Sequence, residues 1–301
     1  MDGFLQIEKN EIFVGLEREY RFFQITDAHI GAYFENSSID DKIECERATA
    51  RWYEQKKEFA NQFGEFCDER YEILPTIILE RIMEYADNQG YDSIIWSGDI
   101  MDRVTDSNIR YLKELQEKTK TPIVYCPGNH ENMDITGKYS DMYSKLTQLI
   151  ANPGFARFDF KEFKILTFDN ATKNITSEQI NFLKNELKED KKILLVVHAP
   201  IKMGEFGERA CAKYSSYFVM GVEQDSDNVH KFIKALDENK DKLIAILAGH
   251  VHSNFEGNIY KNTKQITTSS ALIGVGREII LRWEICILYQ KLSIQKIVKN
   301  L

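Results

Sequence analysis

Ser93-Ile94-Ile95-Trp96-Ser97-Gly98-Asp99-Ile100-Met101-Asp102-Arg103 holds the decisive pattern: a short apolar run that ends abruptly at Gly-Asp. An apolar run of this length, closed by glycine and a carboxylate, reads as a buried β-strand with a polar loop at its end. The same grammar recurs along the chain. Tyr20 to Ile25 leads into Asp27-Ala28-His29, and Ile123-Val124-Tyr125 into Gly128-Asn129-His130-Glu131. Ile193 to Val197 leads into His198-Ala199-Pro200, and Leu243 to Leu247 into Gly249-His250-Val251-His252. Five of the six histidines sit in these blocks. Loops at strand ends that gather oxygen and nitrogen ligands from distant parts of a chain make metal sites, and this many ligands suits two ions better than one.

Around the blocks the pattern alternates. Ser38 to Asn88 has helical spacing, with Phe59, Phe63, Phe66 and Cys67 on one face and Ile77, Ile78, Ile82 and Met83 on another. Pro75 is placed to open a second helix and Gly90 to close it. A helix is expected from about Ser107 to Lys118, giving the βαβ rhythm of a parallel sheet. The second half begins with a strand pair, Phe155 to Phe160 and Phe163 to Phe168. Thr176-Ser177-Glu178-Gln179 has the form of a capping box for a helix carrying Ile180, Leu183 and Leu187. Val229 to Leu236 reads as helical, and Gln265 to Thr268 with Glu278 to Val298 as antiparallel strands. No linker-like stretch divides the halves and both supply ligands, so one domain over residues 1–301 is expected.

Composition bounds the function. A chain of 301 residues, 43% hydrophobic, can bury a large core. Its net charge of -8 and the lack of a Lys/Arg run disfavour a nucleic-acid groove. No apolar segment is long enough to span a bilayer, and the N-terminus lacks a signal-peptide pattern. The five cysteines are scattered and never form a CxxC pair, which fits reduced thiols in a cytoplasmic protein.

Taken together, Asp27-x-His29, Gly98-Asp99-x-x-Asp102-Arg103, Gly128-Asn129-His130-Glu131, His198 and Gly249-His250-x-His252 resemble the calcineurin-like metallophosphoesterase family. The blocks run in family order from residue 27 to 252. The resemblance implies an α/β fold: a four-layer α/β/β/α sandwich of two mixed sheets flanked by helices, here with a helical insertion at about 38–74. It implies two divalent transition-metal ions, drawn from Mn, Fe, Zn, Co or Ni. One would be held by Asp27, His29, Asp99 and His252, the other by Asp99, Asn129, His198 and His250, with Asp99 bridging. It implies in-line attack on phosphorus by a metal-bridging hydroxide. His130, oriented by Asp102, would protonate the leaving group. Arg103 matches a phosphate-binding position of the protein-phosphatase branch, with a surface ion pair as its alternative.

Departures from neighbouring branches narrow the class. Met101 and Asp102 occupy the neighbourhood where purple acid phosphatases carry a metal-bound tyrosine, and the Gly-His-x-His ending sets the chain apart from the serine/threonine phosphatases. The expected substrate is therefore a small-molecule phosphodiester or phosphomonoester. A nuclease, a protein phosphatase and a non-catalytic scaffold for partner proteins are the alternatives, and oligomeric state, metal identity and mono- or diesterase preference stay open. Two stretches exceed the core motifs. The 38–74 insertion, with Trp52 and Tyr53, is either a packed helical hairpin or a lid. Residues 203–228, with Gly204, Gly207, Gly221, Tyr214, Tyr217 and Phe218, read as a long loop whose aromatics either stack on an aryl or nucleoside group or pack on themselves. Glu131 is expected to stabilise its loop, and His230 to stand apart.

Overall fold

The computed structural model describes residues 5–63 and 73–282, with side chains for 57–63 excepted. In chain order the strands and helices are β1 (Gln6–Phe13), β2 (Tyr20–Ile25), α1 (Ile39–Phe63), α2 (Pro75–Asp87), β3 (Ser93–Ser97), α3 (Asp106–Lys118), β4 (Ile123–Cys126) and α4 (Tyr143–Leu146). Then follow β5 (Phe155–Asp159), β6 (Phe163–Phe168), α5 (Ser177–Glu186), β7 (Lys192–Val197), α6 (Gly204–Tyr214), α7 (Asp227–Glu238), β8 (Leu243–Ala248), β9 (Phe255–Tyr260), β10 (Thr263–Thr267) and β11 (Val275–Arg282).

Two mixed sheets result, in the orders β1-β11-β2-β3-β4 and β5-β6-β7-β8-β10-β9. Period-two alternation explains why they stack in four layers. Along β2 and β3, Phe23, Ile25, Ile94 and Trp96 face one way, against Ile78, Leu79 and Ile82 of α2 and Ile109 and Leu112 of α3. Their neighbours Phe22 and Ile95 face the other way, against Phe163, Leu194, Val196 and Leu247 of the second sheet. Leu195, Val197 and Ile246 then point outward, against α5, α6 and α7 through Leu183, Phe206 and Phe232. Every central strand thus feeds two cores, which is why the runs read as continuously apolar. Edge-to-face contacts of Phe163 with Tyr20 (5.0 Å) and Phe22 (6.1 Å) join the two sheets.

The local signals hold. Pro75 occupies the first turn of α2, and Thr176 and Gln179 form the reciprocal capping box of α5. Four expectations are corrected. β1 was not foreseen, because its pattern QIEKNEIF is largely polar and half-exposed; it pairs parallel with β11 at the edge of its sheet. Residues 203–228 are not a long loop: Gly204–Tyr214 is a helix, packed on β9 through Phe206 and Phe255. β10 and β11 are not purely antiparallel. β10 pairs parallel with β8 and antiparallel with β9, while β11 pairs parallel with β1 and antiparallel with β2. Over the described residues, the insertion is one long helix rather than a hairpin. The expected contacts of Phe59, Phe63, Phe66 and Cys67, and strand residues after Arg282, lie outside the described side chains. No helix among the described residues is long and apolar enough to cross a membrane.

Candidate metal centre

The blocks meet at one end of the sandwich. Asp27 and His29 follow β2, Asp99 follows β3, Asn129 and His130 follow β4, His198 follows β7, and His250 and His252 follow β8. Hydrogen bonds carry the β2–β3 pairing past the strand ends: the Asp27 amide donates to the Gly98 carbonyl (2.9 Å), and the His29 amide to that of Asp99 (3.0 Å). In the second sheet the β7–β8 pairing is continued likewise, the Gly249 amide donating to the His198 carbonyl (3.0 Å). The glycines of the motifs are steric requirements. A Cβ on Gly98 would overlap the His198 ring, one on Gly128 the Asp99 carboxylate, and one on Gly249 the Thr26 hydroxyl.

Backbone conformation marks the same residues independently. Asp27 (φ 56°), His29 (φ 44°), Asp99 (φ 53°), His250 (φ 69°) and His252 (φ 47°) all sit in the left-handed region. Among the described non-glycine residues only Lys173 and Ser215 join them there. Such conformations cost about 1 kcal/mol or more each and persist where the surroundings enforce them, commonly at functional sites.

Two clusters of candidate ligand atoms form, Asp27–His29–His252 and Asp99–His198–His250. In the first, the Nε2 atoms of His29 and His252 lie 3.0 Å apart, and His252 Nε2 is 3.1 Å from Asp27 Oδ1. In the second, His198 Nε2 lies 3.1 Å from Asp99 Oδ2 and 3.2 Å from His250 Nδ1. Separations of this size suit neighbouring ligands on one cation, whose bonds to nitrogen and oxygen are roughly 2.0–2.2 Å. His198 Nε2 is also 4.0 Å from Asp27 Oδ1, so the clusters abut.

The donor set fits cations. Asp27 Oδ2 accepts from the Thr26 hydroxyl (2.6 Å) and the His250 amide (2.9 Å), while Oδ1 is buried without a hydrogen-bond partner. Asp99 likewise commits Oδ1 to the His130 amide (2.8 Å) and turns Oδ2 inward. Asn129 Oδ1 is buried and unpartnered too. His198 Nδ1 donates to the Ser97 carbonyl (2.8 Å), which fixes the tautomer that offers Nε2 as a lone pair.

Electrostatics support the same division. Burial, with His198 nearby, holds His250 down at about 3, and burial with His130 nearby holds His29 well below the usual range, so both imidazoles are neutral and ligand-ready. Burial opposes charge on Asp27, yet His252 and His198 bring it down to about 2. Burial also disfavours charge on His198, but Asp99 and Asp27 overcome this and raise it to about 10. Without a cation, a proton on His198 answers the carboxylates.

In a third convergence, His29–Asp102–His130, only Asp102 and His130 are hydrogen-bonded to each other; His29 Nδ1 lies 3.9 Å from Asp102 Oδ1 without a hydrogen-bond partner. His130 Nδ1 donates to the Asp102 carbonyl oxygen (2.7 Å) and lies 3.2 Å from its Oδ1, leaving Nε2 toward the cavity. Burial works against a charged His130, but Asp99 and Asp102 raise it to about 9. Asp102 itself is pulled below the carboxylate range against burial, chiefly by His130. Glu131 is the tie-bar: fully buried, it accepts from the amides of Gly128 (2.8 Å), Asp99 (2.8 Å), Ile100 (2.7 Å) and Met101 (3.2 Å) and from the Tyr125 hydroxyl (2.8 Å).

Over the ligands opens a cleft of about 410 Å³. Arg51, Trp52 and Gln55 of α1 form one wall, Tyr214 and Phe218 the other, and His130 and Asn129 line the floor. Arg103 does not line it. Its guanidinium is bound to Glu44 (3.0 Å) and the Ile135 carbonyl (2.8 Å), matching the ion-pair alternative. His230 is exposed on α7, as expected. Sequence reasoning named Trp52 as a packing or lid residue and missed Arg47, Arg51 and Gln55. Their spacing over about two turns of the helix that follows the His29 block was the available signal.

The calcineurin-like phosphoesterase profile matches residues 20–254, most of the chain. The chain belongs to this family. Among curated relatives, it is 24% identical over 182 residues to a protein of Fibrobacter succinogenes named "Probable cyclic nucleotide phosphodiesterase", covering 60% of this chain and 65% of that one. It is 25% identical over 169 residues to a "Probable glycerophosphodiester phosphodiesterase" of Arcobacter nitrofigilis, covering 54% and 56%. The match therefore spans less than two thirds of the length of these relatives. Among solved structures, a dimetal phosphatase from Danio rerio superposes with a TM-score of 0.54 at 12% identity, covering 85% of this chain and 89% of that one. A purple acid phosphatase from yellow lupin superposes at 0.51 with 12% identity, covering 86% and 45%. Both share the fold of two mixed sheets flanked by helices found in this calcineurin-like chain.

Proposed function

We propose that the chain is a cytoplasmic, dimetal phosphoester hydrolase acting on a small phosphodiester or phosphomonoester, and that residues 1–301 form one domain. The observation that carries this reading is the convergence of seven side chains, five of them held at positive φ, with lone pairs left unused. One cation would be held by Asp27, His29, Asp99 and His252, and the other by Asp99, Asn129, His198 and His250. The one-domain reading is supported by the inter-sheet core, which draws Phe22 and Ile95 from the first half and Leu194 and Leu247 from the second.

Two bound cations would supply Lewis acidity for the phosphoryl oxygens and a water acidic enough to attack near neutral pH. The chain's own residues do the rest. The cleft walls orient the ester. His130, with Nδ1 committed to Asp102, presents Nε2 from the floor of the cleft, the placement a general acid requires. As the bond from phosphorus to the leaving oxygen breaks, a proton passes from His130 Nε2 to the oxygen. Arg103, bound to Glu44, is assigned a structural part. The names of the curated relatives favour a diester over a monoester.

A metal-reconstituted screen tests the reading, with bis-p-nitrophenyl phosphate, p-nitrophenyl phosphate, cyclic nucleotides and nucleotide sugars. Turnover that depends on added Mn, Fe, Zn, Co or Ni is expected; with metal retained, His130→Ala should lose it on cyclic nucleotides, whose alkoxide leaving group needs a proton, far more than on the p-nitrophenyl esters. Binding of a partner protein that survives His130→Ala, with no turnover of any ester, would favour a scaffold instead.

A further inference from the structure

Two side chains of the insertion helix α1, Arg47 and Trp52, hydrogen-bond the carboxylate beside His130. Asp102 is fully buried, and both of its carboxylate oxygens are held from α1: Oδ1 by the Trp52 indole N–H (2.6 Å) and Oδ2 by Arg47 Nη2 (2.6 Å). Arg47 is itself clamped by Glu44, which also takes Arg103. Trp52 is 2% exposed, and its ring stacks on the His29 imidazole with centroids 3.9 Å apart and planes 24° apart. A tryptophan on an amphipathic helix would ordinarily spend its ring in a helix-to-helix core. Here the ring covers a candidate ligand, and its one polar atom goes to the carboxylate next to His130.

The geometry matters because Asp102 holds His130 twice, through its carbonyl (2.7 Å) and through Oδ1 (3.2 Å). A carboxylate bound on one oxygen can swing about its side-chain torsions, whereas one bound on both cannot without breaking a charge-assisted bond. Fixing Asp102 fixes the imidazole plane, and with it the direction of Nε2. A misdirected proton donor loses much of its effect, since proton transfer needs hydrogen-bond reach to the leaving oxygen.

We propose that Trp52 and Arg47 are positioning residues for the Asp102–His130 pair, so that α1 is a fixed part of the catalytic apparatus rather than a lid. This rests on the reading of His130 as the group that protonates the leaving oxygen. In that step the oxygen of a hydroxide, formed when the attacking water gives one proton to solvent, bonds to phosphorus; the bond to the leaving oxygen breaks with its electron pair on that oxygen, the His130 proton neutralises it, and His130 regains a proton from solvent. A leaving group as acidic as p-nitrophenol departs without that proton. A less acidic one such as phenol needs it. Positioning is therefore visible in the dependence of rate on the leaving group, where a purely structural role is not.

The test uses Trp52→Phe, which keeps a ring over His29 and removes the N–H, together with Arg47→Met and the conservative Arg47→Lys. Each full-length variant, reconstituted with Mn, is assayed on aryl phosphate mono- and diesters whose leaving groups run from p-nitrophenol to phenol. Metal content is measured alongside. The proposal expects two metals retained and kcat for phenyl esters to fall about tenfold further than kcat for p-nitrophenyl esters, with Arg47→Lys partly restored. A uniform fall in kcat across the series, a fall that tracks metal loss, or no change at all overturns it. Should Trp52→Phe fail to fold, the Arg47 pair decides on the same criterion. His130→Ala in parallel keeps the two ideas apart: if it shows no leaving-group dependence, the role of His130 fails, whereas dependence in His130→Ala without it in the α1 variants rejects only the positioning role.

Discussion

The two walls of the cleft are built on opposite plans. On the α1 side Trp52 is buried, and Asp102 takes short, charge-assisted bonds from Arg47 (2.6 Å) and the Trp52 indole (2.6 Å). On the other side Tyr214 donates one hydrogen bond to Ser253, while Tyr217 and Phe218 are 69% and 38% exposed and hold mainly through ring contacts, Phe218 with His250 at 5.4 Å and with Tyr217 at 5.2 Å. A rigid, polar wall suits groups whose direction decides a reaction. A looser aromatic wall suits groups that must accept a ligand's flat face. The two inserts that flank one floor of candidate ligands are thus built for different tasks, one to direct groups and one to accept a flat face.

The floor is common to both walls, so breaking it should have the largest effect. Asp99→Ala removes the carboxylate proposed to bridge the cations. It should cost at least roughly 10³-fold in turnover, in line with the several kcal/mol a Lewis-acid pair supplies, and metal analysis should find less than two ions per chain. Full activity with full metal content would remove the bridging assignment.

Next comes the tie-bar beneath the rigid wall. Glu131→Gln replaces one acceptor oxygen with an NH₂ that faces backbone donors. Because Glu131 accepts from four amides and a phenol, the variant should lose about 2–4 kcal/mol, read as a lower urea midpoint at constant m.

The third test is pH. With His198 raised to about 10 in the metal-free protein, a cation must displace its proton. Affinity should therefore fall as pH falls, by up to about tenfold per unit between pH 8 and 6, and calorimetry in two buffers of different ionisation enthalpy should register proton release. Proton-neutral binding would contradict the ligand role of His198.

The smallest effect is expected at the aromatic wall. Phe218→Ala should raise KM for aryl or nucleoside esters about three- to tenfold with kcat little changed. An unchanged KM on every active ester would leave that wall without a part in recognition.

The contrast between the walls also shows how far sequence carries. The convergence of the candidate ligands was legible because each block closes a run such as Ile193–Val197, where burial on both faces leaves a continuous apolar signal that polar residues or glycine interrupt. Glu131 was legible as a loop stabiliser from its place beside Asn129 and His130. The walls were not. Helical spacing identifies which residues of α1 share a face, but the object that Trp52 faces, His29, comes from a different element. Gly204 and Gly207 suggested a loop because glycine disfavours helices, yet Gly207 lies in α6 where the Lys202 backbone leaves no room for a Cβ. Arg103 fitted a motif by position, and only Glu44 and Ile135, far away in sequence, reveal that it is tied down.

Asp27 and Asp99 stand at strand ends of one sheet, His198 and His250 at strand ends of the other. Cations gripped by both sets would clasp the two halves of the sandwich at their rim, far from the phenylalanines that join them in the middle. Resistance to heat should then become a property of the surrounding medium as well as of the chain, climbing with free ion concentration by about 2.7 kcal/mol when the ion stands at a hundred times its dissociation constant.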